Sequence, residues 1–118
     1  MHHTSRFLNL TAAALKTIQE ISISEVKALL AEDPHSICLI DVREESEWAR
    51  GHALDAIHLS KGVIERDIEK TIPNIDTPLV LDCGGGYRSA LAAENLQRMG
   101  YRNVRSMAGG WSAWNSQA

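Results

Sequence analysis

Apolar residues along this chain fall into short runs that alternate with amphipathic stretches. Ile21-Ser22-Ile23 predicts a short strand. Ser24 is placed to cap a helix over Glu25–Ala31, with Val26, Leu29 and Leu30 on one face and Asp33-Pro34 as the stop. Ser36–Val42 is then almost continuously apolar rather than alternating, the signature of a strand covered on both faces and hence of a parallel sheet between helices. Glu44–Arg50 predicts a short polar helix with Trp48 turned inward, ended by Gly51-His52. Ala56–Leu59 predicts a third strand, and Val63–Thr71 a helix with Val63, Ile64, Ile68 and Ile72 on one side. After a loop marked by Pro73, Asn74 and Pro78, Leu79–Asp82 predicts a fourth strand. Arg88–Met99 predicts a helix with Leu91, Ala92, Leu96 and Met99 inward and Gly100 as C-cap. Val104–Ser106 predicts a fifth strand, and Gly109-Gly110 leads into a last short helix around Trp111–Trp114. Five strands alternating with helices predict a three-layer α/β/α domain with a mainly parallel five-stranded sheet.

This domain is expected over residues 21–118, preceded by an N-terminal extension over 1–20. The stretch Phe7–Leu15 is apolar, but Asn9 and Thr11 interrupt it and Arg6 is the only charge before it. That pattern favours a short amphipathic helix over about 6–20, docked on the domain or tethered to it, above a secretory leader. His2-His3 carries no function in this reading. Composition narrows the function classes. The chain has 118 residues, 44% of them hydrophobic, enough for one ordinary core without metals or disulfides. A formal net charge of −3 offers no reason to expect nucleic acid or an anionic membrane as partner. The two cysteines, Cys38 and Cys83, are too few for a disulfide scaffold and have no paired Cys or His at zinc-ligand spacing. No metal or other cofactor is expected, and a reducing, cytoplasmic setting is the simplest expectation.

The chemistry concentrates in Asp82-Cys83-Gly84-Gly85-Gly86-Tyr87-Arg88-Ser89. It lies between a buried strand and a helix, where open α/β sheets bind ligands at the carboxyl ends of their strands. Three consecutive glycines are costly inside either element but suit a loop that curls tightly and turns its N–H groups inward as an anion nest. A helix N-terminus and Arg88 add positive charge. Such surroundings favour a thiolate at Cys83, and a persulfide anion at the same point, with no histidine base required. Asp82 opposes this unless strand alternation turns it to the other face of the sheet.

Cys83 and Arg88 bracket four residues, and this Cys-x4-Arg loop resembles the active loop of the rhodanese family. The resemblance extends to Leu39-Ile40-Asp41-Val42-Arg43-Glu44, Glu47-Trp48, Gly51-His52 and Ala56-Ile57-His58-Leu59 before the loop. After it come Asn103-Val104, Ala108-Gly109-Gly110-Trp111 and Trp114. Together these motifs cover about Ile21 to Trp114. The resemblance implies transfer of sulfane sulfur from a donor such as thiosulfate to a thiophilic acceptor such as cyanide, a thiol or a protein thiol. It implies Cys83 as nucleophile and sulfur carrier, Gly84, Gly85, Gly86, Tyr87 and Arg88 as the cradle, and Asp41 and Arg43 as a brace for the loop. Loops tuned to thiosulfate in that family often carry extra cationic residues, whereas this one has glycines, Tyr87 and only Arg88. A larger or less charged donor, such as glutathione persulfide or a protein persulfide, fits equally well.

Other notable residues read more simply. Cys38 lies in an apolar run and is expected in the core. His52 and His58 are expected to be hydrogen-bonded structural residues. Trp111 is placed to pack near the loop, and Tyr87 suits either a donor contact or a loop cap. Glu65, Arg66, Asp67, Glu69 and Lys70 form a mixed-charge, solvated helix face. Three alternatives to a sulfurtransferase that turns over remain open. A non-turnover persulfide carrier would load sulfur without releasing it to small acceptors. A binding or signalling module would do neither. A phosphatase on the same fold resembles this chain but uses a loop one residue longer, Cys-x5-Arg.

Overall fold

The strand Leu79–Asp82 is wholly buried, because it runs through the middle of a sheet covered on both faces. In the computed structural model, which describes residues 3–116, the elements follow in the order α1 (Ser5–Leu15), β1 (Gln19–Ile21), α2 (Ile23–Glu32), β2 (Cys38–Asp41), α3 (Glu45–Arg50), β3 (Ile57–His58), α4 (Ile64–Thr71), β4 (Leu79–Asp82), α5 (Tyr87–Arg98), β5 (Val104–Met107) and α6 (Gly110–Ser116). Met1, His2, Gln117 and Ala118, the outer ends of the expected extension and domain, lie outside the described residues. The sheet has the order β1-β5-β4-β2-β3, and every pairing in it is parallel.

Alternation along the strands sorts the core into two layers. On one face Ile40, Val42, Leu79, Leu81 and Cys83 pack against Ile64 and Ile68 of α4 and Ala92, Ala93 and Leu96 of α5. On the other, Leu39, Val80 and Met107 pack against Ile23 and Val26 of α2, with Trp111, Ala113 and Trp114 of α6 alongside. The predicted three-layer α/β/α architecture is thus the one formed, and its sheet is parallel throughout.

The first turns differ from expectation. The helix cap is Ser22, not Ser24: Ser22 Oγ accepts from the Glu25 backbone N–H at 3.1 Å, so Ile23 enters α2 rather than a strand. The Ser-x-x-Glu spacing of Ser22 and Glu25 is a capping-box pattern and overrides the strand propensity of Ile23. Strand β1 accordingly lies two residues earlier, pairing Gln19, Glu20 and Ile21 with Arg105, Ser106 and Met107. Helix α1 ends at Leu15, and the expected boundary between residues 20 and 21 falls inside β1. Of the two arrangements considered for the N-terminal helix, docking is the one found. Helix α1 packs along α5. Just after it, Thr17 Oγ1 donates to Glu94 Oε2 at 2.8 Å, and Gln97 Nε2 donates to the Thr17 carbonyl at 3.2 Å. No helix among the described residues is long and apolar enough to cross a membrane.

Candidate active site

The loop begins where β4 ends, at the carboxyl edge of the central strand. Gly86 closes it in the left-handed region, with φ +95°, and caps α5. That φ favours glycine, and a Cβ there would also press on the Gly109 amide nitrogen at 3.3 Å. The turn brings the Gly86 N–H back to Cys83 Sγ, 3.0 Å away. Ser89, in the first turn of α5, places its Oγ 3.3 Å from the same sulfur and 2.8 Å from Ser106 Oγ on β5. Cys83, Ser89 and Ser106 are all buried, with Cys83 at 1% exposure. They form a short polar chain from the sulfur into the sheet.

Helix α6 fixes the other side of the loop. The Trp111 N–H donates to the Cys83 carbonyl at 2.6 Å and the Ser112 N–H donates to the Gly84 carbonyl at 3.1 Å. This approach requires Gly110, whose φ is +55°, because a Cβ there would overlap the Cys83 carbonyl and lie 2.8 Å from the Gly84 carbonyl carbon.

Arg88, expected as the cationic end of the cradle, spends its terminal nitrogens on Glu47 of α3, at 2.6 Å to Oε1 and 3.0 Å to Oε2. The Arg88 hydrogen bonds hold the Glu47 carboxyl down at about 2, against a smaller opposing effect of burial, and the Glu44 backbone N–H assists. The fork carries no net charge into the site. Tyr87 turns its ring toward the N-terminal segment, 4.6 Å from the His3 ring and 6.0 Å from the Phe7 ring. His3, Glu47, Gly84, Gly85, Arg88 and Ser112 line a cavity of about 320 Å³ over the loop.

Asp41 and Arg43 form a buried ion pair at 2.9 Å, and Arg43 Nη2 also donates to the Gly51 carbonyl at 2.7 Å. The Arg43 guanidinium lies 5.3 Å from the centre of the Trp111 ring. Neither residue bonds the loop Gly84–Arg88 among the described residues. The pair reaches the loop through Trp111, whose backbone N–H holds Cys83.

Asp82 is level with Asp41 across the sheet and fully buried, and neither carboxylate oxygen has a hydrogen-bond partner among the described residues. Alternation puts it with Val80, on the face opposite Cys83, as the strand pattern predicts. Burial and the Asp41 charge raise its carboxyl to about 7, with Arg43 pulling weakly the other way. The folded state therefore binds a proton that the unfolded chain releases near pH 4, so this group lowers stability as pH rises from about 4 to 7. The full penalty is on the order of 4 kcal/mol. Asp82→Asn is expected to remove this slope. Urea unfolding of both proteins at pH 5 and pH 8 checks it: the variant gains on the wild type at pH 8, and an equal difference at both pH values refutes the assignment.

The remaining residues resolve as packing groups. Cys38 is half-buried against the α4–α5 core, and burial pushes its thiol pKa up. It is level with Leu79, four residues from Cys83, which at strand spacing is roughly 13 Å, too far for a disulfide. His52 and His58 both stack on Trp48, with ring centres 3.4 and 4.9 Å away, and bond the Ala53 and Arg43 carbonyls. Among the described residues no group of three or more His, Cys, Asp or Glu side chains is arranged to hold a metal.

An α/β/α domain with a cysteine loop at the carboxyl edge of its central strand defines a recognised class. The sequence profile of the rhodanese-like domain matches residues 22–117, and the chain belongs to that family. Among solved structures, a protein of unknown function from Rhodopseudomonas palustris, described as a possible tyrosine phosphatase, superposes with a TM-score of 0.87 at 26% identity, covering 99% of this chain and 96% of that one. That coverage takes in α1. A rhodanese-like domain protein from Staphylococcus aureus gives 0.75 at 28% identity over 82% of this chain and 91% of that one. A thiosulfate sulfurtransferase from Pseudomonas aeruginosa gives 0.75 at 33% identity over 85% of this chain, which spans 19% of that longer protein.

Proposed function

We propose that this protein is a sulfurtransferase that carries sulfane sulfur as a persulfide on Cys83. The observation that carries this reading is the seating of Cys83 Sγ. It lies at the end of the central strand, under a glycine loop, with the Gly86 N–H at 3.0 Å and the Ser89 hydroxyl at 3.3 Å. The amide donates to the sulfur, and the hydroxyl can do so as well, so both can stabilise negative charge there. In the first half-reaction the Cys83 thiolate attacks the sulfane sulfur of the donor. With thiosulfate, the S–S bond of the donor breaks and sulfite leaves with the electron pair, so that Cys83 becomes a persulfide anion. In the second, the acceptor attacks the outer sulfur. Cyanide leaves as thiocyanate, a thiol leaves as a new persulfide, and the Cys83 thiolate returns.

The cradle is Gly84, Gly85, Gly86, Tyr87 and Arg88. Asp41 and Arg43 position it indirectly, through Trp111. The Arg88–Glu47 fork bears on the donor. A guanidinium already matched by a carboxylate attracts a dianion such as thiosulfate weakly, which favours persulfide donors such as glutathione persulfide. The acceptor is a thiophile: cyanide, a small thiol or a protein thiol. Helix α1 serves as a docked N-terminal extension of the sheet domain, and the setting proposed is the reducing cytoplasm.

Intact-mass measurement after brief exposure to each donor tests the reading. The expected result is the gain of one sulfur atom, removed again by cyanide, with faster loading from glutathione persulfide than from thiosulfate. No gain with either donor refutes it. Loading without release to cyanide or thiols makes the protein a carrier. A phosphatase, the activity suggested for the R. palustris protein of unknown function, predicts aryl-phosphate hydrolysis, and the Cys83–Arg88 spacing, one residue short for a phosphate loop, predicts none.

A further inference from the structure

The rhodanese-like profile begins at residue 22, yet the cavity over the Cys83 loop is walled in part by His3. We propose that His3 is a ligand-contacting residue of this cavity and selects donors and acceptors that carry an oxyanion group, a sulfonate or a carboxylate. The inference deepens the sulfurtransferase reading and rests on it for the identity of the reaction, though not for the contact itself.

Three observations support it. First, the imidazole is fixed in place. Its ring centre lies 4.6 Å from that of Tyr87, itself in the loop, and 5.1 Å from that of Phe7 on α1. The helix carrying Phe7 is docked along α5, the helix that Tyr87 opens. The position of His3 is therefore tied to the loop by side-chain stacking and by helix packing together. Second, the ring nitrogens make no hydrogen bond to any described residue, although the ring borders the cavity. Third, the rest of the lining is short of acceptors. Glu47, the only carboxylate there, is committed to Arg88 through both oxygens. The Gly84 and Gly85 N–H groups and the Ser112 hydroxyl have no partner among the described residues. A cavity whose uncommitted groups are an imidazole, two backbone amides and a hydroxyl suits an oxyanion. The loop amides would take the end nearest Cys83, and His3 the far side.

The test compares the alkylation of Cys83 by iodoacetate and by iodoacetamide, a carboxylate and its neutral counterpart, followed by intact mass. Wild type is set against His3→Ala, His3→Gln and, as control, Leu10→Ala, an exposed position on α1. Loss of one hydrogen bond lowers the iodoacetate-to-iodoacetamide rate ratio in His3→Ala by roughly three- to tenfold. His3→Gln recovers part of it through its amide N–H, and Leu10→Ala leaves it unchanged. Sulfur transfer supplies the second readout: KM rises in His3→Ala more than kcat falls. A rise confined to thiosulfate assigns a sulfonate, and one confined to glutathione persulfide assigns a carboxylate. An unchanged alkylation ratio in His3→Ala overturns the proposal whatever the turnover. A lowered ratio in a protein that never takes up sulfur upholds the His3 contact and refutes the persulfide reading instead.

Discussion

Cys83→Ser is expected to abolish sulfur loading from every donor while leaving the fold nearly as stable as the wild type. Serine keeps the shape of the side chain, and its hydroxyl still accepts from the Gly86 N–H and bonds the Ser89 hydroxyl. The cost in stability is therefore expected to stay within about 1 kcal/mol. Chemistry has no such tolerance, because a serine hydroxyl near neutral pH is neither an anion nor able to hold sulfur in a cyanide-labile bond. Intact mass after donor treatment and a thermal melt on the same sample separate the two effects. Sulfur uptake by Cys83→Ser would move the carrier to another residue, with Cys38 the first to examine. A collapse in Tm would instead show that the thiol is needed for packing.

The second large effect is expected at Gly110, which touches no ligand. Its Cβ would overlap the Cys83 carbonyl, and its φ of +55° disfavours any side chain. Both obstacles are backbone, so no rotamer change relieves them. Gly110→Ala must push α6 off the loop and break the Trp111 bond to Cys83 and the Ser112 bond to Gly84. A cost of about 2–5 kcal/mol follows from the clash and the lost bonds. For a domain of this size that lowers Tm by on the order of 10 °C or more. Sulfur loading, assayed well below the new Tm, is expected to fall as well, because the carbonyl next to the nucleophile loses its anchor. Loading at the wild-type rate in the folded variant would show that α6 supports the fold and not the loop.

The two examples show where sequence reading succeeds and where it stops. Leu79–Asp82 is legible because a buried parallel strand needs an unbroken apolar run, and the glycines after it are legible because their cost demands a reason. Ser89 leaves a trace readable in the sequence. It shares one stripe of α5 with Ala92, Ala93 and Leu96, so it is a polar residue on an apolar face, six residues after the cysteine. Glu47 is legible only as part of the Glu47-Trp48 motif and not as the partner of Arg88, because that bond joins residues on separate helices. The same holds for His3, which meets Tyr87 only because α1 docks on α5. The misplaced cap at Ser24 is a different kind of error. Two serines compete there, and only Ser22 stands three residues before Glu25.

The order of the strands has a consequence for how the protein is made. Of the five strands described, β1 leaves the ribosome first, yet its neighbour in the sheet is β5, pairing Gln19 with Arg105. At synthesis rates of roughly 5–20 residues per second, the nascent chain waits several seconds before that pairing is possible. Helix α1 waits nearly as long for α5, and Thr11 and Ala14, buried in the finished fold, stay uncovered until then. The growing chain thus presents an unpaired strand edge and an uncovered helix throughout most of its translation, and this is the interval in which a chaperone would find it.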